Sequence, residues 1–326
     1  MQMLRVTVLC VLTLPAHSAL AGSITVAAAQ TQIRWYTTSE QFREHMGALV
    51  EQAMAASPDL IVFPEDVGTG LLALGAPESI READSLGAAM QGLVNLHAQE
   101  VMALAGQGVP LPPALVLVQA QAVRQAYVAT FSALAAQHGV HIAAGTILLP
   151  HEDAQDRAVY NTFMLFGPTG EVIGTADKVN LIPLERDDGL MLTPGDRDAL
   201  APWQTPLGVL GPVICFDAWD AGLVGSLVQA GAQLLVCPSA NPEPWTEDVR
   251  QDRLDGLYSR VAELGVPGVE CFAVGELAGL PFQGVTWIIA PDPGAEGGVR
   301  VLAQAQTHDA EEIVTAEVEL PARAAE

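Results

Sequence analysis

Positive charge is what this chain has least of. Its 326 residues carry 38 Asp and Glu against 14 Lys and Arg, a formal net charge of −24. Such a surface repels nucleic acid and anionic membranes, so neither is expected as a partner. No run approaches the roughly 20 consecutive apolar residues of a membrane-spanning helix. Cys and His do not recur at zinc-site spacing, and Gly-x-Ser-x-Gly is missing, which removes a structural zinc finger and a serine nucleophile elbow from the options. Scarcest of all is lysine: thirteen of the basic residues are arginines and one is Lys178. A surface charge could equally be Arg. An ammonium, however, is a compact point charge that can approach a single negative centre, where guanidinium is a broad planar fork.

What is present reads as a compact α/β protein, with 50% hydrophobic residues. The opening "MQMLRVTVLCVLTLPAHSALAG" has one basic residue, an apolar run and Ala19-Leu20-Ala21. That is the pattern of a secretory signal cut after Ala21, giving a secreted or periplasmic protein of residues 22–326 in one domain. The alternative is a buried first strand and a cytoplasmic protein. Cleavage would remove Cys10 and leave Cys215, Cys237 and Cys271, an odd number, so at least one thiol has no partner within the chain. "SITVAAAQ" reads as a strand, and Thr38 with Gln41 as a capping box for a helix whose stripe is Phe42, Met46, Leu49, Val50, Ala53 and Met54. A short buried strand in "DLIVFPED" follows. Residues 75–130 read as helical, interrupted by "GVPLPPA". Strands are expected at "HIAAGTILL", in a hairpin around Gly167-Pro168-Thr169-Gly170, and then in "LGVLGPVI", "QLLVCPSA", "GVECFAVG", "GVTWIIA", "VRVLAQA" and "EIVTAEVEL", with helices at "DAGLVGSLVQAGA" and "EDVRQDRLDGLYSRVAELG". Alternation of strands and helices with inserted hairpins implies layered, mixed sheets.

Three polar residues sit where apolar strands end: Glu65 after "LIVFP", Lys178 after the hairpin and Cys215 after "GPVI". Strand ends are where a layered α/β protein exposes side chains from a rigid scaffold. A carboxylate, an ammonium and a thiol supply a base, an oxyanion stabiliser and a nucleophile. A thiol of ordinary pKa is mostly protonated at neutral pH, so it needs the base; Lys178 nearby is expected to lower its pKa. Taken singly each residue has a plain structural use. Other candidates are weaker. Gly68–Ala73, "GTGLLA", matches a loose dinucleotide fingerprint without its strand–helix context; His138 and His141 offer a Cys–His pair; Cys237 and Cys271 lie in apolar runs and read as core.

"VFPED", "ADKVNLIPLE", "TPGD", "GPVICFDAW" and "AGAQLLVCPSA", with "ITVAAAQ" at the start, resemble the nitrilase superfamily of carbon-nitrogen hydrolases. The resemblance extends from about Ser23 to about Leu320. It implies an α/β fold of the four-layer αββα type, a Glu65–Lys178–Cys215 triad, neither metal nor organic cofactor, and pairing into homodimers or larger homo-oligomers, for which the apolar strip Leu223, Val224, Leu227 and Val228 in the helix near Asp220 reads as either core or interface. It also implies a role near the substrate for Glu185, with the backbone N–H of Phe216 as a second oxyanion donor. The chain departs from the family in "FDAWDAG" after the cysteine and in a long helical segment at 75–125, which reads as a lid or an oligomer contact. "CFD" in place of "CWE" favours amides or carbamoyl groups over nitriles. The alternatives are nitrile hydrolysis or N-acyl transfer on the same triad and, from another class, a non-catalytic binding protein that keeps the fold.

Overall fold

The computed structural model describes residues 22–152, 157–186 and 189–322. The expected signal, residues 1–21, lies outside them. In chain order, β1 (Ser23–Ile33) and α1 (Ser39–Met54) lead to β2 (Leu60–Val62). Then come α2 (Leu86–Leu96), α3 (Ala98–Ala105), α4 (Leu111–His138), β3 (His141–Leu149), β4 (Tyr160–Phe166) and β5 (Val172–Asp177). The second half runs β6 (Trp203–Thr205), β7 (Gly208–Pro212), α5 (Ala221–Gln229), β8 (Leu234–Ala240), α6 (Glu247–Arg253) and α7 (Ser259–Leu264). It ends with β9 (Gly268–Leu277), β10 (Leu280–Phe282), β11 (Trp287–Pro291), β12 (Val299–Gln304) and β13 (Glu312–Glu319).

Nine strands form a continuous path, β5-β4-β3-β2-β1-β9-β8-β7-β6. β1 joins its two halves: Val26 to Ala28 pair with β2, Thr31 to Ile33 with β9, and Ser23 to Gln30 with β13. Alternation of side chains then sorts the apolar residues into three layers. In β2, Leu60 and Val62 face the other half-sheet while Ile61 joins the layer under α1 and α4; in β8, Leu234 and Val236 face inward while Leu235 and Cys237 join the layer under α5 and α7. Helices, two sheets and helices again make an αββα sandwich. Because both faces are covered, β3, β4 and β8 are buried along their whole length, which is why they read as unbroken apolar runs.

Local chemistry fixes the ends. The Thr38 hydroxyl accepts from Gln41 N at 3.3 Å, but the Gln41 side chain reaches back to Thr37 N at 2.9 Å, one residue earlier than a strict capping box. The expected stripe is buried apart from the half-buried Met54. "GVPLPPA" interrupts the helical stretch as expected, between α3 and α4, and its second half also starts the next helix. Pro112 and Pro113 occupy the first turn of the 28-residue α4, where no intrahelical N–H is needed. In α5, Leu223, Val224 and Leu227 are buried within the chain itself, so that strip fills core and is not a face left for a partner.

Gly145 meets a sharp steric demand near the site. Its φ is +68°, and a Cβ there would lie 1.9 Å from the Pro64 carbonyl oxygen. The close approach lets Thr146 clamp the strand end that carries Glu65: Thr146 N donates to Pro64 O at 3.3 Å, and Thr146 Oγ1 accepts from Asp66 N at 2.8 Å. Gly145→Ala is therefore expected to cost about 3 kcal/mol or more, at the far end of single-residue effects. Urea unfolding measures this; a loss below about 1 kcal/mol would contradict the clamp.

Candidate active site

Lys178 follows β5 directly and is 1% exposed. Its Nζ donates to Glu65 Oε1 at 2.8 Å and to Glu185 Oε2 at 2.7 Å. Asn161, on β4, completes a closed ring, donating Nδ2 to Glu65 Oε1 and to Glu185 Oε1, each at 2.9 Å. The remaining contacts are backbone: Glu65 Oε2 accepts from Ala240 N at 2.9 Å and Glu185 Oε2 from Ile182 N at 2.9 Å. Two carboxylates thus share one ammonium in a buried setting, and each of their oxygens has a donor, as buried charge requires. Burial pushes the Glu65 carboxyl up, against the pull of Lys178. Burial alone would lower Lys178, but Glu65, Cys215 and Glu185 together hold it well above its ordinary value.

Cys215 stands after β7, at the head of a short 3₁₀ turn, Cys215–Trp219. Its φ is +45°, a left-handed conformation that a side chain adopts only where the surroundings enforce it. Asp217 supplies much of that enforcement. Its buried carboxylate accepts from Asn180 N at 2.7 Å and Asn180 Nδ2 at 3.0 Å, and from Ile214 N at 3.4 Å, tying the cysteine turn to the loop after Lys178. Burial nevertheless raises Asp217 to about 6, since these donors only partly offset the loss of water. Cys215 Sγ donates to Ala240 O at 3.6 Å and receives Arg253 Nη1 at 3.8 Å. Ala240, the last residue of β8, therefore touches both the base and the thiol.

The thiol is pushed up to about 11, first by burial and then by Glu65; Lys178 and Arg253 pull the other way and lose. Lys178 does pull it down, as expected, but burial and Glu65 outweigh that pull and the net shift is upward. Both N–H bonds that Lys178 makes go to carboxylates, so little of its charge is left to favour a thiolate. Glu65 is anchored on the N–H of Ala240 and the thiol on its carbonyl, so one residue sets the carboxylate beside the thiol. Cys215 floors an open cleft of 330 Å³ whose walls include Phe216, Trp219, Asn241 and Arg253. Beyond Ile182, Ala240 and Pro242, which both spaces share, lies a chamber of 30 Å³ lined by Glu65, Lys178 and Glu185. That is room for about one water.

Glu65, Lys178, Cys215 and Glu185 are brought together, and Phe216 is at the cleft with its ring 38% exposed. The other candidates are elsewhere. His141 is the first residue of β3, at the opposite end of the sheet from Glu65, and His138 caps the end of α4 beside Glu51. Cys237 and Cys271 are fully buried core. Gly68–Ala73 leads into a short 3₁₀ turn in which a Cβ on Gly70 would lie 1.9 Å from Arg34 O; its glycine serves packing, not phosphate. No cleft residue comes from 75–125, which leaves the lid reading without a site to cover. Asn161, Asp217, Asn241 and Arg253 escaped sequence reasoning. Asn161 carried a readable sign, being amide in a fully buried strand; Arg253 carried none. Among the described residues, no three His, Cys, Asp or Glu cluster as metal ligands.

Lys178→Met would leave Glu65 and Glu185 buried without a counter-charge, a loss of about 3–5 kcal/mol. In that variant Glu65, already pushed up by burial, would titrate above its unfolded value, so the deficit should be full at pH 8 and shrink as pH falls towards 5 and it protonates. Urea midpoints at the two pH values measure it; equal, small deficits would mean the charges are not coupled.

A family model described as carbon-nitrogen hydrolase matches residues 25–325. Omega-amidase NIT2 of Mus musculus is 32% identical over 115 residues, which is 33% of this chain and 40% of that protein. The chain thus matches well under half the length of this curated relative. Among solved structures, a carbon-nitrogen hydrolase from Helicobacter pylori G27 has a TM-score of 0.64 at 20% identity, covering 92% of this chain and 90% of the other. A variant of the amidase from Nesterenkonia sp. AN1, bearing acrylamide at its active-site cysteine, has a TM-score of 0.63 at 17% identity, covering 90% and 93%. The four-layer sandwich is that of the nitrilase superfamily, and the chain belongs to the carbon-nitrogen hydrolase family.

Proposed function

We propose that this protein hydrolyses a small linear amide or carbamoyl group through a thioester on Cys215, with Glu65 as base and Lys178 as oxyanion donor. The observation that carries the reading is a protonated, buried thiol at the floor of an open cleft, anchored on the Ala240 carbonyl while Glu65, a carboxylate pushed up by burial, is anchored on the N–H of the same residue. A carboxyl pushed upward is a stronger base than an ordinary one, which suits it to take the thiol proton.

As the carbonyl carbon meets Sγ, the thiol proton passes to Glu65, the S–C bond forms and the carbonyl π pair moves onto oxygen. The third N–H of Lys178, not taken by Glu65 or Glu185, and the backbone N–H of Phe216 meet that oxyanion. The C–N bond then breaks, nitrogen takes the proton from Glu65 and ammonia departs. Water gives its proton to the same carboxylate and attacks the thioester; the C–S bond breaks, sulfur regains the proton and the acid leaves. Glu185 anchors Lys178 without entering the reaction. The names of the relatives, an omega-amidase and an amidase, support amides as the substrate class.

Ammonia release from a panel of small linear amides, carbamoyl compounds and nitriles should favour the amides. Cys215→Ala and Glu65→Gln should abolish it, and Lys178→Arg should lower it by about a hundredfold or more, as loss of a positioned donor does. More than a few per cent of activity in Cys215→Ala would overturn the mechanism. We also read residues 1–21 as an export signal; mass spectrometry of native protein should place the N-terminus near Gly22, and an intact Met1 would contradict it.

A further inference from the structure

Arg253 is set beside the nucleophile by several independent contacts. It ends α6, and the helix is then broken by a wider turn, Leu254–Tyr258, in which Gly256 leaves helical geometry (φ −82°, ψ −128°). A Cβ on Gly256 would lie 2.9 Å from the Trp219 ring. Glycine thus lets the broken helix close onto Trp219, a common arrangement where a helix bulges at a working site. The Arg253 guanidinium lies 5.2 Å from the Trp219 ring centre and 5.3 Å from that of Phe272. Nη2 donates to Asn241 Oδ1 at 3.0 Å, and Asn241 is itself fixed by donating to Glu243 O and Gln283 O. Nη1 is left on Cys215 Sγ at 3.8 Å.

What makes this placement telling is the missing counter-ion. The chain has 38 acidic residues for 14 basic ones, yet among the described residues Arg253 forms no ion pair. Lys178 is the contrary case, with two carboxylates for one ammonium. Passing the Cys215 proton to Glu65 keeps that cluster at one net negative charge but moves negative charge onto sulfur, and Arg253 is the cation free to meet it there. The charged and titratable groups facing the thiol are Glu65 beyond β2, Lys178 beyond β5, Cys237 on β8 and Arg253 itself, with Glu243, Asp252 and Asp255 on the walls of the same cleft. Glu270 on β9 acts on Arg253 from behind, with its own oxygens held by Ser239 and Trp287.

We propose that Arg253 is a further catalytic residue, whose Nη1–H bonds Cys215 Sγ and carries the sulfur's negative charge as the nucleophile forms and again as it is expelled from the thioester. This rests on Cys215 being the nucleophile, but its test needs no turnover. Iodoacetamide alkylation of Cys215 is followed by peptide mass across pH 7 to 11 in the wild type, Arg253→Met and Arg253→Lys. The Met variant should react about tenfold more slowly at pH 8, with its profile displaced upward by about one pH unit, and Lys should restore most of the rate. A wild-type profile in Arg253→Met would overturn the proposal. So would a Lys variant as slow as the Met variant, since packing rather than charge would then be at work. If Arg253→Met does not fold, Arg253→Gln takes its place under the same two criteria. Failure of the amide panel with a displaced profile would leave Arg253 in place and remove only the amidase reading.

Discussion

A single buried ammonium held between two buried carboxylates is the constraint from which the site follows. Lys178 has almost no contact with water, so its charge is tolerable only because Glu65 and Glu185 face it and Asn161 ties those two together. Buried ion clusters of this kind add little net stability, but they collapse when one member goes. They also demand position: Glu65 comes from the end of β2, Asn161 from β4, Lys178 from the end of β5 and Glu185 from the loop beyond. Four strand ends and loops must therefore meet within hydrogen-bonding distance. A guanidinium, planar and broader, would not fit the single point that serves two carboxylates at 2.8 and 2.7 Å.

That cluster also explains the state of the Cys215 thiol. With its ammonium committed, it presents the thiol with more negative charge than positive, and burial adds to the effect, so Cys215 rests as a thiol near 11. A resting thiol is a poor target for stray electrophiles and acquires reactivity only when its proton can pass to Glu65. Two backbone devices keep the geometry for that transfer: Ala240, whose N–H holds Glu65 and whose carbonyl takes the thiol, and Asp217, which binds the cysteine turn to the loop of Lys178.

Much of this was legible in the sequence. The strands are runs of buried apolar residues, the three strand-end residues stood out against them, and the lone lysine pointed to its own chemistry. What was not legible depends on neighbours far apart in the chain. "GVPLPPA" marks the break between α3 and α4 as read, but that Pro112 and Pro113 belong to the first turn of the next helix was not legible, since proline is excluded from helix interiors and tolerated there. The strip in α5 could face core or partner until its burial under β7 and β8 was known. The direction of the Cys215 shift could not be read from the presence of a cation, since it depends on how many anions already claim that cation. Arg253 looks like any other arginine on a polar helix until Gly256 bends it onto Trp219.

The central claim is that carbon is transferred to Cys215 before water arrives. Mixing enzyme with an amide that releases ammonia, quenching in acid within milliseconds and weighing the intact protein tests this directly. A species heavier by the acyl group, located on the peptide containing Cys215, absent from Cys215→Ser and discharged by hydroxylamine, is the predicted result. Full turnover by the wild-type enzyme with no acyl mass at any quench time would contradict it.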